Sequence, residues 1–98
     1  MTEKQKAFVK SEMKIKPSPR RIYELENGEV GIVYPDGDTV FLDENGMVTD
    51  CLVELYRMPE YLAYNRTKII ETYTPAEFER RLWQEKHTQF SLLEGVQL

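Results

Sequence analysis

Residues 22–57, IYELENGEVGIVYPDGDTVFLDENGMVTDCLVELYR, decide how this chain folds. Runs of branched and aromatic residues alternate there with Asn-Gly, Pro-Asp-Gly-Asp and Glu-Asn-Gly, and that punctuation marks strands joined by tight turns. Ile22–Glu26 reads as a first strand, followed by Asn27-Gly28 as a two-residue turn with positive φ at both positions. Glu29–Tyr34 reads as the return strand. Pro35-Asp36-Gly37-Asp38 turns the chain into Thr39–Asp43, and Glu44-Asn45-Gly46 turns it into a long strand, Met47–Arg57, expected to be the backbone of the sheet. Short connections make neighbours in sequence neighbours in space, which is an antiparallel meander. The repeated Glu-Asn-Gly at 26–28 and 44–46 is read as turn chemistry, not as a repeat family.

Alternation along the long strand is imperfect. Met47, Cys51, Val53 and Leu55 fall on one face, and Val48, Leu52 and Tyr56 fall on the other among Asp50 and Glu54. A sheet with one wet face alternates more cleanly, so the second face is expected to be part covered by a helix, by the N-terminal arm or by another chain.

Outward from this stretch, residues 3–14 read as a short helix with Thr2 as N-cap, pairing Phe8 with Ile15 and Val9 with Met13. So short a helix is marginal alone, and it either docks on the body or frays. Pro17-Ser18-Pro19 ends it and forms the one candidate linker. Beyond the long strand, Met58-Pro59-Glu60 is a break, Tyr61 and Tyr64 lie in a loop, and residues 67–73 (TKIIETY) read as a fifth strand. Thr74-Pro75-Ala76-Glu77 is a helix start with a capping box. The helix is expected to run from Pro75 to about Gln89, with Phe78, Leu82, Ala76, Trp83 and Phe90 on its apolar face and Glu79, Arg80, Glu85 and Lys86 outward. The tail after it is read as short and uncapped. The resulting fold class is α+β: an antiparallel four- to five-stranded β-meander packed by a C-terminal α-helix, with a short N-terminal helix or arm (1–20) leading into one domain (21–98).

The 98 residues, 41% apolar and 31% charged, suit one globular domain with a modest core. One cysteine and one histidine cannot build the usual disulfide or zinc cage, and no apolar run is long enough for a signal peptide or a membrane span. The expected setting is reducing and cytoplasmic, with no membrane partner. Net charge is −4, but residues 1–21 hold seven bases against two acids. A basic arm precedes an acidic body.

Catalytic and metal-binding signatures are weak. Asp36, Asp38, Asp43 and Glu44 cluster at two turns, yet Val40 and Met47 stand where a calcium loop needs an oxygen ligand. Cys51 sits among Leu52 and Val53, where a small buried role is the ordinary one, and His87 is placed near a helix C-terminus. No nucleophile elbow or glycine-rich phosphate loop occurs. No enzyme activity, metal or cofactor is therefore expected.

The expected function is a small non-enzymatic protein-interaction module, an accessory subunit or inhibitor-like modulator of a larger complex. Its contact candidates are Tyr56, Tyr61, Tyr64, Val48 and Leu52, and its partner is another protein, with a basic one matching the acidic body, or a second copy of the chain. The alternative is a nucleic-acid-associated protein using the basic arm: Lys4, Lys6, Lys10, Lys14, Lys16, Arg20 and Arg21.

Overall fold

Gly28, Gly37 and Gly46 recur every nine residues, and all three take positive φ, at 91°, 95° and 74°. In each turn the glycine N–H donates to the carbonyl three residues back, on Leu25, Tyr34 and Asp43. The N–H of that earlier residue donates in turn to the carbonyl of Glu29, Asp38 and Met47. This is the three-residue hairpin loop, a type I turn closed by a left-handed glycine. The expected two-residue turn at Asn27-Gly28 is thereby corrected. Asn27 keeps negative φ, as do all non-glycine residues described, because the third loop residue carries the left-handed conformation.

The computed structural model describes residues 1–16, 18–52 and 67–97. Among them, helix α1 (Glu3–Met13) precedes strands β1 (Arg21–Leu25), β2 (Val30–Val33), β3 (Thr39–Leu42), β4 (Val48–Leu52) and β5 (Ile69–Tyr73), and helix α2 (Pro75–Gln97) follows. The strands form one antiparallel sheet in the order β4-β3-β2-β1-β5. The α+β architecture with an N-terminal helix and a packed C-terminal helix matches the expectation from sequence. The first four strands are the meander, and β5 returns to the far side of β1.

Two details of the expected sheet change. The long fourth strand was expected as its backbone, yet β4 is the outermost strand, and residues 53–57 lie outside the described residues. A bulge between Phe41 and Leu42 then leaves Thr49 without an opposite partner: Val48 pairs with Leu42, while Asp50 and Cys51 pair with Phe41 and Val40. An extra residue reverses the side-chain alternation, so Val48 and Cys51 share a face that the uninterrupted pattern divides.

Both faces of the sheet are buried at its centre, and all of β2 is inaccessible. On one face Ile22, Val30, Ile32, Leu42 and Tyr73 pack with Val9 of α1 and Phe78 of α2. On the other, Leu25, Val33 and Phe41 cluster with Tyr23 and Ile69. The N-terminal helix thus docks on the same face as α2, and each fully buried apolar side chain there contributes about 1.5–3 kcal/mol.

The docking of α1 rests on polar bonds as well. Thr2 caps it in a full capping box with Gln5. Gln5 is buried, at 1% exposure. Its Nε2 donates to the carbonyls of Gly28 (2.8 Å) and Asp43 (3.0 Å), while its Oε1 accepts from the Thr2 N–H. The Tyr34 hydroxyl donates to Glu12 at the other end of the helix.

Helix α2 starts as expected: the Glu77 N–H donates to the Thr74 hydroxyl, and that hydroxyl donates to the Glu77 carboxylate. It runs past the expected end at Gln89 to Gln97, because the sequence offers no proline there and a glycine at position 95 weakens a helix without terminating it. Its face is also corrected. Phe78 is buried and Leu82 packs against the core, but Ala76 is exposed and Trp83 is 59% exposed. At roughly 100° per residue, Trp83 stands about 140° around the helix from Phe78, off the stripe that meets the sheet.

Candidate functional site

Helical spacing builds a groove between α1 and α2. On α1 the inward stripe is the buried Gln5 and Val9 with the half-buried Met13, so Lys6, Lys10 and Lys14 form a parallel stripe along one flank. On α2 the stripe Phe78–Leu82 leaves Glu79, Trp83 and Lys86 along the facing flank. Two adjoining hollows of about 260 Å³ each lie between these flanks. Lys6, Lys10, Leu82, Trp83, Glu85 and Lys86 line the first, with Glu3. Lys10, Met13, Lys14, Glu79 and Leu82 line the second. Lys10 and Leu82 belong to both, which makes the two hollows one groove.

Charge within the groove is partly spent. Lys6 Nζ lies 2.8 Å from Glu85 and 3.3 Å from Glu3, and the hydrogen bond to Glu85 chiefly raises its pKa above the usual lysine value. Lys10, Lys14 and Lys86 make no ion pair among the described residues. At the lip, the Trp83 ring stacks on His87 with centroids 3.6 Å apart, and His87 Nδ1 is 2.9 Å from the Trp83 carbonyl. His87 is therefore a partner of Trp83 well inside a longer helix, and not a residue at its C-terminus.

Two tyrosines meet the helices: Tyr34 bonds Glu12 of α1, and Tyr73 meets Phe78 of α2 edge to face with ring centroids 6.2 Å apart. Burial first, and then hydrogen bonding to Glu24, pushes Tyr73 up to about 12. Burial and Glu12 raise Tyr34 in the same way.

Of the basic arm, Lys4, Lys10, Lys14, Lys16, Arg20 and Arg21 are exposed, and Lys6 is held in the groove. Val48 is 49% exposed beside Met47 at 64%, at the start of the outermost strand. Leu52 pairs its backbone with Thr39. Tyr56, Tyr61 and Tyr64 lie outside the described residues. Cys51, expected to be buried, is exposed because β4 is an edge. Its N–H is taken by the neighbouring Asp50 carboxylate at 2.8 Å.

The acids at the turns have structural partners. Asp36 accepts from the Asp38 N–H, and Asp43 accepts from the N–H groups of Asn45 and Met47. Among the described residues no group of three or more His, Cys, Asp or Glu side chains is placed to hold a metal ion, and no helix is long and apolar enough to cross a membrane.

Sequence reasoning missed Trp83, Leu82, Met13 and Lys86 as parts of one surface. The available signal was local: the single tryptophan stands in a run of charges, Glu79-Arg80-Arg81 before it and Glu85-Lys86 after it. Compared with known protein families, curated protein sequences and solved structures, the chain matches none.

Proposed function

We propose that this protein is a small non-enzymatic interaction module that holds a partner protein in the groove between α1 and α2. The observation that carries the reading is Trp83: a large aromatic ring, 59% exposed, placed at the lip of a groove floored by Met13 and Leu82. Tryptophan is the residue type most enriched at the energetic centres of interfaces, since it removes much apolar area from water at little entropic cost. The groove also lies between two docked helices, which limits the ordering cost of binding.

Self-association through a sheet edge is less well supported. The β4 edge is bulged at Thr49, carries Asp50, and has the Cys51 N–H already bonded, and these devices discourage strand addition. The β5 edge carries Glu71 opposite Glu24 and its own register irregularity.

A benzophenone amino acid, which keeps a large aromatic ring, placed at position 83, and separately at the exposed turn residue Asp36, tests the reading in cells. A discrete protein adduct at position 83 that is absent from position 36 supports it. Equal or absent labelling at the two positions contradicts it.

A further inference from the structure

We infer that the groove takes an acidic peptide segment of its partner, with carboxylates flanking an apolar or aromatic anchor, an inference that rests on the groove being the contact surface. Three lysines, Lys10, Lys14 and Lys86, stand along the two walls without an ion-pair partner among the described residues. Glu79 faces Lys10 and Lys14 across the second hollow, yet it pairs with neither. Lys6 is held by Glu85 and Glu3, and the four lysines of the groove outnumber its three glutamates, so the groove is net positive in a protein whose overall charge is −4.

Position sharpens the match. Lys10 and Lys14 are one helical turn apart, about 6 Å along the axis, which is the spacing of carboxylates four residues apart on a helical peptide. Between the lysines the floor is apolar, at Met13 and Leu82, and Trp83 closes the side. An apolar side chain seated there would bring acidic neighbours to the lysines, and its desolvation would strengthen those contacts.

A nucleic acid fits less well. A sugar-phosphate backbone carries a charge at every residue and would meet Glu3, Glu79 and Glu85 as well as the lysines, whereas a peptide can place its carboxylates at Lys10, Lys14 and Lys86 alone. The floor suits a side chain better than a sugar-phosphate chain.

Selection of random dodecapeptides by messenger-RNA display on the full chain tests the inference. Enriched peptides are expected to combine Asp or Glu with Leu, Phe or Met. Their affinity should fall by about tenfold or more with Lys10→Glu/Lys14→Glu, or with Trp83→Ala, and should weaken with added salt. Circular dichroism checks that each variant folds, and Lys16→Glu, outside the groove, should leave affinity within about twofold.

Enrichment of neutral or basic peptides, no enrichment, or acidic binding indifferent to Lys10→Glu/Lys14→Glu overturns the inference. Tighter binding of a thymidine oligonucleotide or a DNA duplex, lost with the same substitutions, also overturns it. A specific adduct at position 83 with a non-acidic segment removes the acidic class while leaving the groove as the contact surface. Absence of any specific adduct there removes the groove itself.

Discussion

The side-chain amide of Gln5 donates to the main-chain carbonyl of Gly28 at 2.8 Å, joining the first turn of α1 to the first hairpin of the sheet. The same nitrogen reaches Asp43 in the third hairpin, so one buried side chain ties two turns and a helix together. The groove exists because this helix is held in place, and each prediction below probes either that anchorage or the groove it creates.

Gln5→Ala leaves two carbonyls without their donor and opens the capping box. Urea denaturation should show a loss of about 1–3 kcal/mol. Gln5→Glu should cost more at neutral pH, because a carboxylate would face two carbonyl oxygens. The folded state then favours the protonated carboxyl, so its pKa is raised on folding and stability should recover as the pH is lowered.

Val9 and Ile15 separate docking from simple apolarity. Val9 is fully buried in the main core, whereas Ile15 is 54% exposed. Val9→Ala should cost about 2 kcal/mol and Ile15→Ala less than about 0.5 kcal/mol in the same denaturation experiment. Equal losses would contradict the placement of α1.

These contrasts show what was legible in the sequence. Strand positions and turns were readable because a left-handed position in a tight turn selects glycine almost by itself, as at Gly28, Gly37 and Gly46. The Thr2 and Thr74 caps were readable for the same local reason. Gln5 was not, since a glutamine in a short helix looks like a solvated residue until the turns it bridges are in place. Trp83 was assigned to the apolar face on its seven-residue spacing from Ala76 and Phe90, although one step around a helix is enough to take a side chain off the buried stripe. Cys51 was read as buried because nothing local in the sequence marks β4 as an edge. That β5 joins β1 is likewise decided by the cover each face needs, not by any local signal. Tyr56, Tyr61 and Tyr64 lie outside the described residues.

Alkaline titration should expose the two tyrosines that meet the helices. Tyr73 and Tyr34 titrate higher in the folded state than the ordinary value near 10, and Lys6 is likewise raised from 10.5. Raised folded values mean that stability is fully present below the unfolded values and is lost as pH rises above about 10 toward 12. Absorbance at 295 nm should show Tyr73 and Tyr34 titrating late. Tyr73→Phe and Tyr34→Phe should each remove one of them and flatten the alkaline loss.

Gly46→Ala and Gly37→Ala share one backbone cost, about 1–2 kcal/mol for a left-handed position. A Cβ at Gly46 would also meet the Lys4 carbonyl at 2.9 Å. Thermal denaturation should therefore rank Gly46→Ala as the more damaging, and the reverse order would argue against the contact between α1 and the third turn.

The single tryptophan is a reporter built into the groove. Trp83 is exposed and outside the core, so Trp83→Ala should change stability by less than about 0.5 kcal/mol while weakening partner binding. The most direct measurement is a titration of the folded protein with a selected tryptophan-free acidic peptide, followed by Trp83 fluorescence. A saturable blue shift, as the ring leaves water, is the predicted result. Saturating binding with an unchanged emission maximum would contradict the account.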